Sequence, residues 1–310
     1  MEQQVRRLVT RSDFDGLACA MMLKELQLID EIKFVHPKDV QDGKIELSKN
    51  DITTNLPYDP RVSLAFDHHE SEMDRLKAVE TGGKLIIDPK ARSAARVVYD
   101  YYGGKEAFPR ISEDLMAAVD KGDSADFTMD EILDPKGWVL LHYLMDARTG
   151  LGRFHHFRIS NYDLMMELID YCLDHDIDEI LELPDVKERV ELYFEQAEQF
   201  KAQLRRIARV HDKVVVLDLR KEEVIHAGNR FMIYALYPET EISVHVAWGF
   251  RKQNTAVMIG KSIVNKASQV DIGELCLQYG GGGHRNAGTC QLDNDVVDEK
   301  LPDIIRALNG

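Results

Sequence analysis

The 310-residue sequence predicts an α/β protein built as two domains, and three observations carry that expectation. Short strand-like runs alternate with helical runs through the first half, which favours a mainly parallel sheet with helices on both faces. A helical pattern then continues over 162–211. A second set of strand-like runs fills the last third, as a smaller mixed α/β domain needs. With 44% hydrophobic residues the chain can bury two cores.

In chain order, residues 8–10 read as a strand because the run is apolar and β-branched. Residues 17–26 read as a helix with Cys19, Met22, Leu23 and Leu26 on one face. Strands two to five are expected over 32–35, 44–47, 62–66 and 85–87. After Pro89 a helix over 93–102 stops at Gly103-Gly104, and another covers 112–119. Pro184 opens a long helix in which Val190, Phe194, Ala197, Lys201, Leu204 and Ala208 recur at three- and four-residue steps. That helix reads as a connector. Residues 214–219, 242–250 and 255–263 follow as strands, with helices near Phe231 and over 272–279. The expected boundaries are 1–190 for the first domain with its helical extension, 191–212 for the connector and 213–310 for the second domain.

Several function classes are disfavoured at once. A net charge of −15 argues against long DNA or RNA as a partner, because such binding rests on many Lys and Arg contacts to phosphate. A short anionic substrate drawn to a local cation remains compatible. The chain has no apolar run of about 18 residues, and its first seven residues lead straight into a strand with no secretory core, so no membrane partner is expected. The reading is a cytoplasmic, soluble protein. Cys19, Cys172, Cys276 and Cys290 lack CxxC spacing, which argues against disulfides or a thiolate zinc site.

The chemistry is concentrated at strand ends. Asp67-His68-His69 follows the apolar run 62–66, and Asp13-Phe14-Asp15-Gly16 follows the first strand. Ligands of open α/β sheets collect beyond the carboxyl ends of strands. Carboxylates and imidazoles gathered there suit Mn, Fe, Co or Zn. An Asp-x-Asp-Gly run alone is equally explained by a helix N-cap, so its company matters. Asp123-Ser124-Ala125-Asp126-Phe127 adds a further acid after an apolar helix. Near the C-terminus, Gly280-Gly281-Gly282-Gly283 before His284-Arg285 offers backbone N–H groups that no side chain screens from an oxyanion. A second basic cluster, Arg148, Arg153, His155, His156 and Arg158, surrounds Gly150-Leu151-Gly152, as a phosphate-facing loop or a solvated turn. The dipeptides His175-Asp176 and His211-Asp212 lack the partner histidines an HD-type hydrolase requires.

These four motifs, in this order, resemble those of the DHH/DHHA1 phosphoesterase superfamily. That superfamily includes RecJ-like exonucleases, nano-RNases, cyclic-dinucleotide phosphodiesterases, exopolyphosphatases and family II pyrophosphatases. The resemblance implies a Rossmann-like metal-binding catalytic domain, a DHHA1-type substrate-binding domain and a cleft between them. It places Asp13 on one metal and Asp15, His68 and Asp123 on another, with a further Asp bridging both. Asp51 is chosen for the bridge and Asp59 is the runner-up. Asp67 would orient His68 by accepting its free ring N–H. His69 would face the substrate phosphate, and Lys261, Gly281, Gly282, Gly283, His284 and Arg285 would bind the substrate. One position departs from the pattern: Arg11 and Val9 stand where relatives carry a histidine, which leaves one or two ions open. Arg11 then either forks onto a phosphate as a catalytic group or pairs with Asp13 or Asp15.

The implied activity is hydrolysis of short phosphodiesters, such as oligoribonucleotides or linear dinucleotides, by metal-activated water. Mn2+ is the expected cofactor, with Mg2+ or Co2+ as alternatives. Two other readings stay open: an exopolyphosphatase or pyrophosphatase, and a nucleotide-binding regulator whose catalysis has lapsed. A homodimer is the default assembly for such an enzyme.

Overall fold

A run of strands buried on both faces needs no alternation of polar and apolar residues, and the first sheet shows why. The computed structural model describes residues 6–69, 84–154 and 156–310. The chain divides into a unit of Met1–Asp126 with Pro135–Leu192 and a unit of Phe127–Asp134 with Tyr193–Gly310.

In the first unit β1 (Arg7–Arg11), β2 (Glu31–Val35), β3 (Asp51–Thr54), β4 (Leu64–Asp67) and β5 (Lys84–Ile87) form a parallel sheet in the order β2-β1-β3-β4-β5. The third strand is Asp51–Thr54, not 44–47 as the sequence suggested. The alternation of Lys44, Ile45, Glu46 and Leu47 imitates a half-exposed strand, whereas this position in the sheet is buried throughout. Every residue of β3 is buried. Its threonines are accommodated because Thr54 Oγ1 meets Thr10 Oγ1 at 2.6 Å across the β1–β3 pair.

The helix α1 (Phe14–Glu25) starts at the N-cap Asp13, whose side chain accepts from Gly16 N at 3.0 Å. All residues from Phe14 to Leu23 are buried, so the helix has no solvent face over that length. A helix apolar all round is a core helix. It packs against α2 (Ala94–Tyr101), α3 (Glu113–Asp123) and a later helix described below. Gly16 is required by close approach: a Cβ there would stand 1.9 Å from the Arg11 carbonyl oxygen. The N-caps Ser93 and Ser112 start α2 and α3 by accepting from Arg96 N and Leu115 N. Beyond them lie α4 (Gly137–Met145) and α5 (Asn161–Tyr171), the latter packed on α1.

The long helix α6 (Pro184–Ile207) carries the chain from one unit into the other. It stops at Ile207, short of the expected 211, because residues 208–211 turn into a strand. In the second unit β6 (Ala208–His211), β7 (Val214–Asp218), β8 (Ile242–Trp248), β9 (Thr255–Lys261), β10 (Gly282–His284) and β11 (Ala287–Leu292) form a mixed sheet ordered β10-β11-β9-β8-β7-β6. Only the β7–β8 pair is parallel. Val214, Val216, Ile242, Val244, Val246, Val257 and Ile259 bury one face with side chains from α7 (Ile272–Gln278) and α8 (Val297–Asn309). Among the described residues no helix is long and apolar enough to cross a membrane.

Candidate metal centre

In the first sheet the chain leaves β1 towards β2 on one side and returns to β3 on the other. A crevice opens at such a switch point, beyond the carboxyl ends of the strands. Arg11–Asp13 leaves β1 there, Asn55 leaves β3 and Asp67-His68-His69 leaves β4. Asp123, the last residue of α3, joins them.

Asp15 lies in the first turn of α1 and is 3% exposed. Its carboxylate accepts from Asn55 Nδ2 at 2.7 Å, Ala95 N at 2.7 Å and Ala94 N at 3.3 Å. Burial, then the charges of Asp123 and Asp13, push this carboxyl well above the usual range. His68 turns Nδ1 to the Ala91 carbonyl oxygen at 3.3 Å. A carbonyl only accepts, so Nδ1 carries a proton and Nε2 is left for the acids. Nε2 stands 2.8 Å from Asp123 Oδ2 but makes no aligned hydrogen bond with it. Burial opposes charge on His68, yet Asp123, Asp15 and Asp67 outweigh it and raise the imidazole to about 9. Asp123 moves the other way: burial is overcome by the close contact and charge of His68, which hold it below the ordinary carboxylate range.

Ligand atoms of Asp15, His68 and Asp123 all lie within 4.8 Å of one another. Two carboxylates and an imidazole, with a buried Nε2 pointing off-line at its neighbour, are the donor set a divalent cation completes. The residues fit such an ion.

The other expected residues fall into three groups. Arg11 pairs with Asp13, Nε to Oδ2 at 2.8 Å, so its simpler expectation holds. Asp13 also caps α1, and burial raises its carboxyl against the pull of Arg11. It stands beside the convergent triad rather than in it. Asp51 does not join. It begins β3, in register with Arg7 at the opposite end of the strands, and takes Arg7 Nε at 2.8 Å and Nη2 at 3.0 Å. Asp59 is engaged by Arg61, at 2.6 Å to Nη2. Asp67 does not orient the His68 ring; its Oδ1 accepts from His68 N at 2.8 Å and faces His69 Nδ1 at 2.7 Å. That fixes His69 instead, with its side chain 39% exposed.

Asn55 is the residue the sequence reading missed. It ends the β3 segment with φ 54°, a left-handed conformation Asn tolerates better than most residues. The signal was an Asn directly after a buried β-branched run. Ala91, which sets the His68 tautomer through its carbonyl, left no signal at all.

In the second unit the glycine-rich segment is a hairpin strand. Gly282–His284 pairs with β11 as the edge of the sheet, so alternate N–H groups lie on the unpaired side. Gly281 and Gly283 are also demanded by packing: a Cβ would fall 2.2 Å from Thr289 O and 2.3 Å from Ala287 O, and Gly283 has φ 156°. Lys261 N donates to Asn286 O at 2.9 Å. Burial, then the Arg285 charge, lower the Lys261 ammonium, so the two cations lie within electrostatic reach of each other.

Of the second basic cluster, Arg158 is paired with Asp185 and His155 lies outside the described residues.

Fold and centre together define a two-unit α/β protein whose strand ends gather a donor set fit for a divalent cation. Neither a scan against protein-family models nor a search of curated proteins finds a match. Among solved structures, the chain is similar to the pGpG-specific phosphodiesterase PggH from Vibrio cholerae, with 56% identity, 98% of this chain and 99% of that chain covered, and a TM-score of 0.82. RecJ from Thermus thermophilus in complex with Mn2+ shares the fold at 14% identity and TM-score 0.54, covering 99% of this chain and 52% of that one. A further exonuclease RecJ bound to manganese matches at 13% identity and TM-score 0.50, with 99% and 91% covered. The chain belongs to the DHH/DHHA1 phosphoesterase superfamily, as its four motifs implied.

Proposed function

We propose that the chain is a Mn2+-dependent phosphodiesterase of short linear nucleotides, with pGpG as its substrate. The observation that carries this is the convergence of Asp15, His68 and Asp123 in a chain 56% identical along its length to a pGpG-specific phosphodiesterase. When bound, a divalent cation there supplies Lewis acidity and lowers the pKa of water towards about 7.

The chain's own residues do the rest. Asn55 and the N–H groups of Ala94 and Ala95 hold Asp15 in one orientation, so its free lone pairs point where they are needed. Ala91 fixes the His68 tautomer and leaves Nε2 as the donor atom. Asp67 fixes Nδ1 of His69, so that Nε2 is the atom offered to the phosphate or to the leaving oxygen. Arg11 neutralises Asp13, which keeps the rim from repelling an anionic substrate. Lys261, His284, Arg285 and the Gly281-Gly282-Gly283 backbone are assigned to the substrate's remaining anionic groups.

The test is hydrolysis of pGpG, cyclic dinucleotides, polyphosphate and pyrophosphate with Mn2+. Mononucleotide release from pGpG is expected. Orthophosphate release from polyphosphate or pyrophosphate in its place would overturn the assignment.

A further inference from the structure

Directly after α4, Asp146 caps the short turn Ala147–Thr149. Asp146 is 8% exposed, and its Oδ1 accepts from Arg148 N at 2.9 Å and from Arg148 Nε at 2.7 Å. The turn is fastened from beneath, since the Thr149 hydroxyl donates to Tyr143 O at 2.6 Å. A cavity of about 110 Å3 is lined by Ser12 on one side and by Asp146 and Ala147 on another. The turn therefore stands next to the Arg11–Asp13 loop of the centre.

Arg148 has its Nε edge held and its other edge open. Its side chain is 49% exposed, and among the described residues neither Nη1 nor Nη2 donates a hydrogen bond. The charges of Asp13 and Asp123 reach the guanidinium and add to the pull of Asp146. Capping does not explain the fork, because the backbone N–H of Arg148 already serves the cap. A guanidinium fixed along one edge presents two parallel donors along the other, the geometry that matches a phosphate.

We propose that Arg148 is a substrate-binding residue of this centre, with Nη1 and Nη2 donating to non-bridging oxygens of the phosphate engaged at Asp15, His68 and Asp123. Asp146 is its positioning residue. The assignment rests on the phosphodiesterase reading and deepens it.

The experiment compares wild type with Arg148→Gln and Arg148→Lys in three measurements: Mn2+ binding by calorimetry, binding of inorganic phosphate to the Mn2+-loaded protein, and kcat/KM for pGpG. Arg148→Gln should lower kcat/KM and phosphate affinity by about 10- to 100-fold, the worth of charge-assisted hydrogen bonds. It should also tighten Mn2+ severalfold, because a positive charge beside the carboxylates is gone. Arg148→Lys should recover part of the loss. Unchanged phosphate affinity, or Mn2+ and phosphate both weakened together, would overturn the role, the latter marking a merely structural arginine. Failure of the wild type to cleave pGpG would overturn the phosphodiesterase reading, while the phosphate arm still decides Arg148.

Discussion

Asn55 Nδ2 sits 2.7 Å from Asp15 Oδ2 in a buried setting, so Asn55→Asp exchanges a donor for a second acid at contact distance. Two changes add up. The hydrogen bond to a charged acceptor, about 1.5–3 kcal/mol, is lost. Two carboxylates this close cannot both stay ionised, so one must take up a proton at neutral pH. A combined cost of about 2–4 kcal/mol follows for the metal-free protein. At about 2–4 °C per kcal/mol for a unit of this size, the melting temperature should fall by about 5–15 °C. A divalent cation reverses the sign, because the extra carboxylate becomes a ligand and binding to the native state stabilises it. Thermal melts of both proteins with chelator and with saturating Mn2+ read this directly. Mn2+ should raise the melting temperature of Asn55→Asp by more than it raises that of wild type. An unchanged melt in chelator, or a smaller gain with Mn2+, would refute the geometry assigned to Asp15.

Three further expectations concern the same centre. His68→Ala and Asp123→Asn should each cost more than about 100-fold in Mn2+ affinity, beyond what loss of an outer partner costs, and abolish pGpG turnover with the melt little changed. Asp51→Asn should behave in the opposite way. It loses the Arg7 fork and about 1–3 kcal/mol of stability in urea unfolding, while calorimetry shows unaltered Mn2+ binding. Finally, His68 keeps its proton to about 9 in the metal-free protein, so an arriving cation must displace that proton. Mn2+ affinity should therefore climb as pH rises, by up to about tenfold per unit, and level off near 9. Calorimetry at neutral pH in two buffers of different ionisation heat should register at least one proton released.

What the sequence made legible was the set of strand ends. Asp13, Asp15 and His68 follow short apolar strand runs and Asp123 follows the apolar helix 115–119, but it was the order of the four motifs that carried their assignment. The bridging choice failed for one traceable reason. With 44–47 taken as the third strand, Asp51 appeared at its carboxyl end, whereas it actually begins β3 and Asn55 closes it. The five-residue stretch from Lys44 to Ser48 alternates polar and apolar side chains, and period-two alternation marks a half-exposed strand better than a wholly buried one. The exchange of partners at Asp67 was beyond reach for another cause. Whether its carboxylate meets the first or the second histidine depends on backbone direction after β4, and the carbonyl that replaces it on His68 has no side-chain signature. The hairpin strands β10 and β11 were likewise hidden, because glycines that serve packing look like glycines that serve a turn, and the terminal helix was masked by Pro302 in its interior.

The absence of any wet side on α1 has a consequence for how this protein can change. Evolutionary drift usually begins at exposed positions, where a new side chain meets only solvent. From Phe14 to Leu23 no such position exists, and every substitution must be answered by a neighbour. The platform under Asp13 and Asp15 is thereby locked, and new specificities among descendants of this chain must arise in the loops that overhang it.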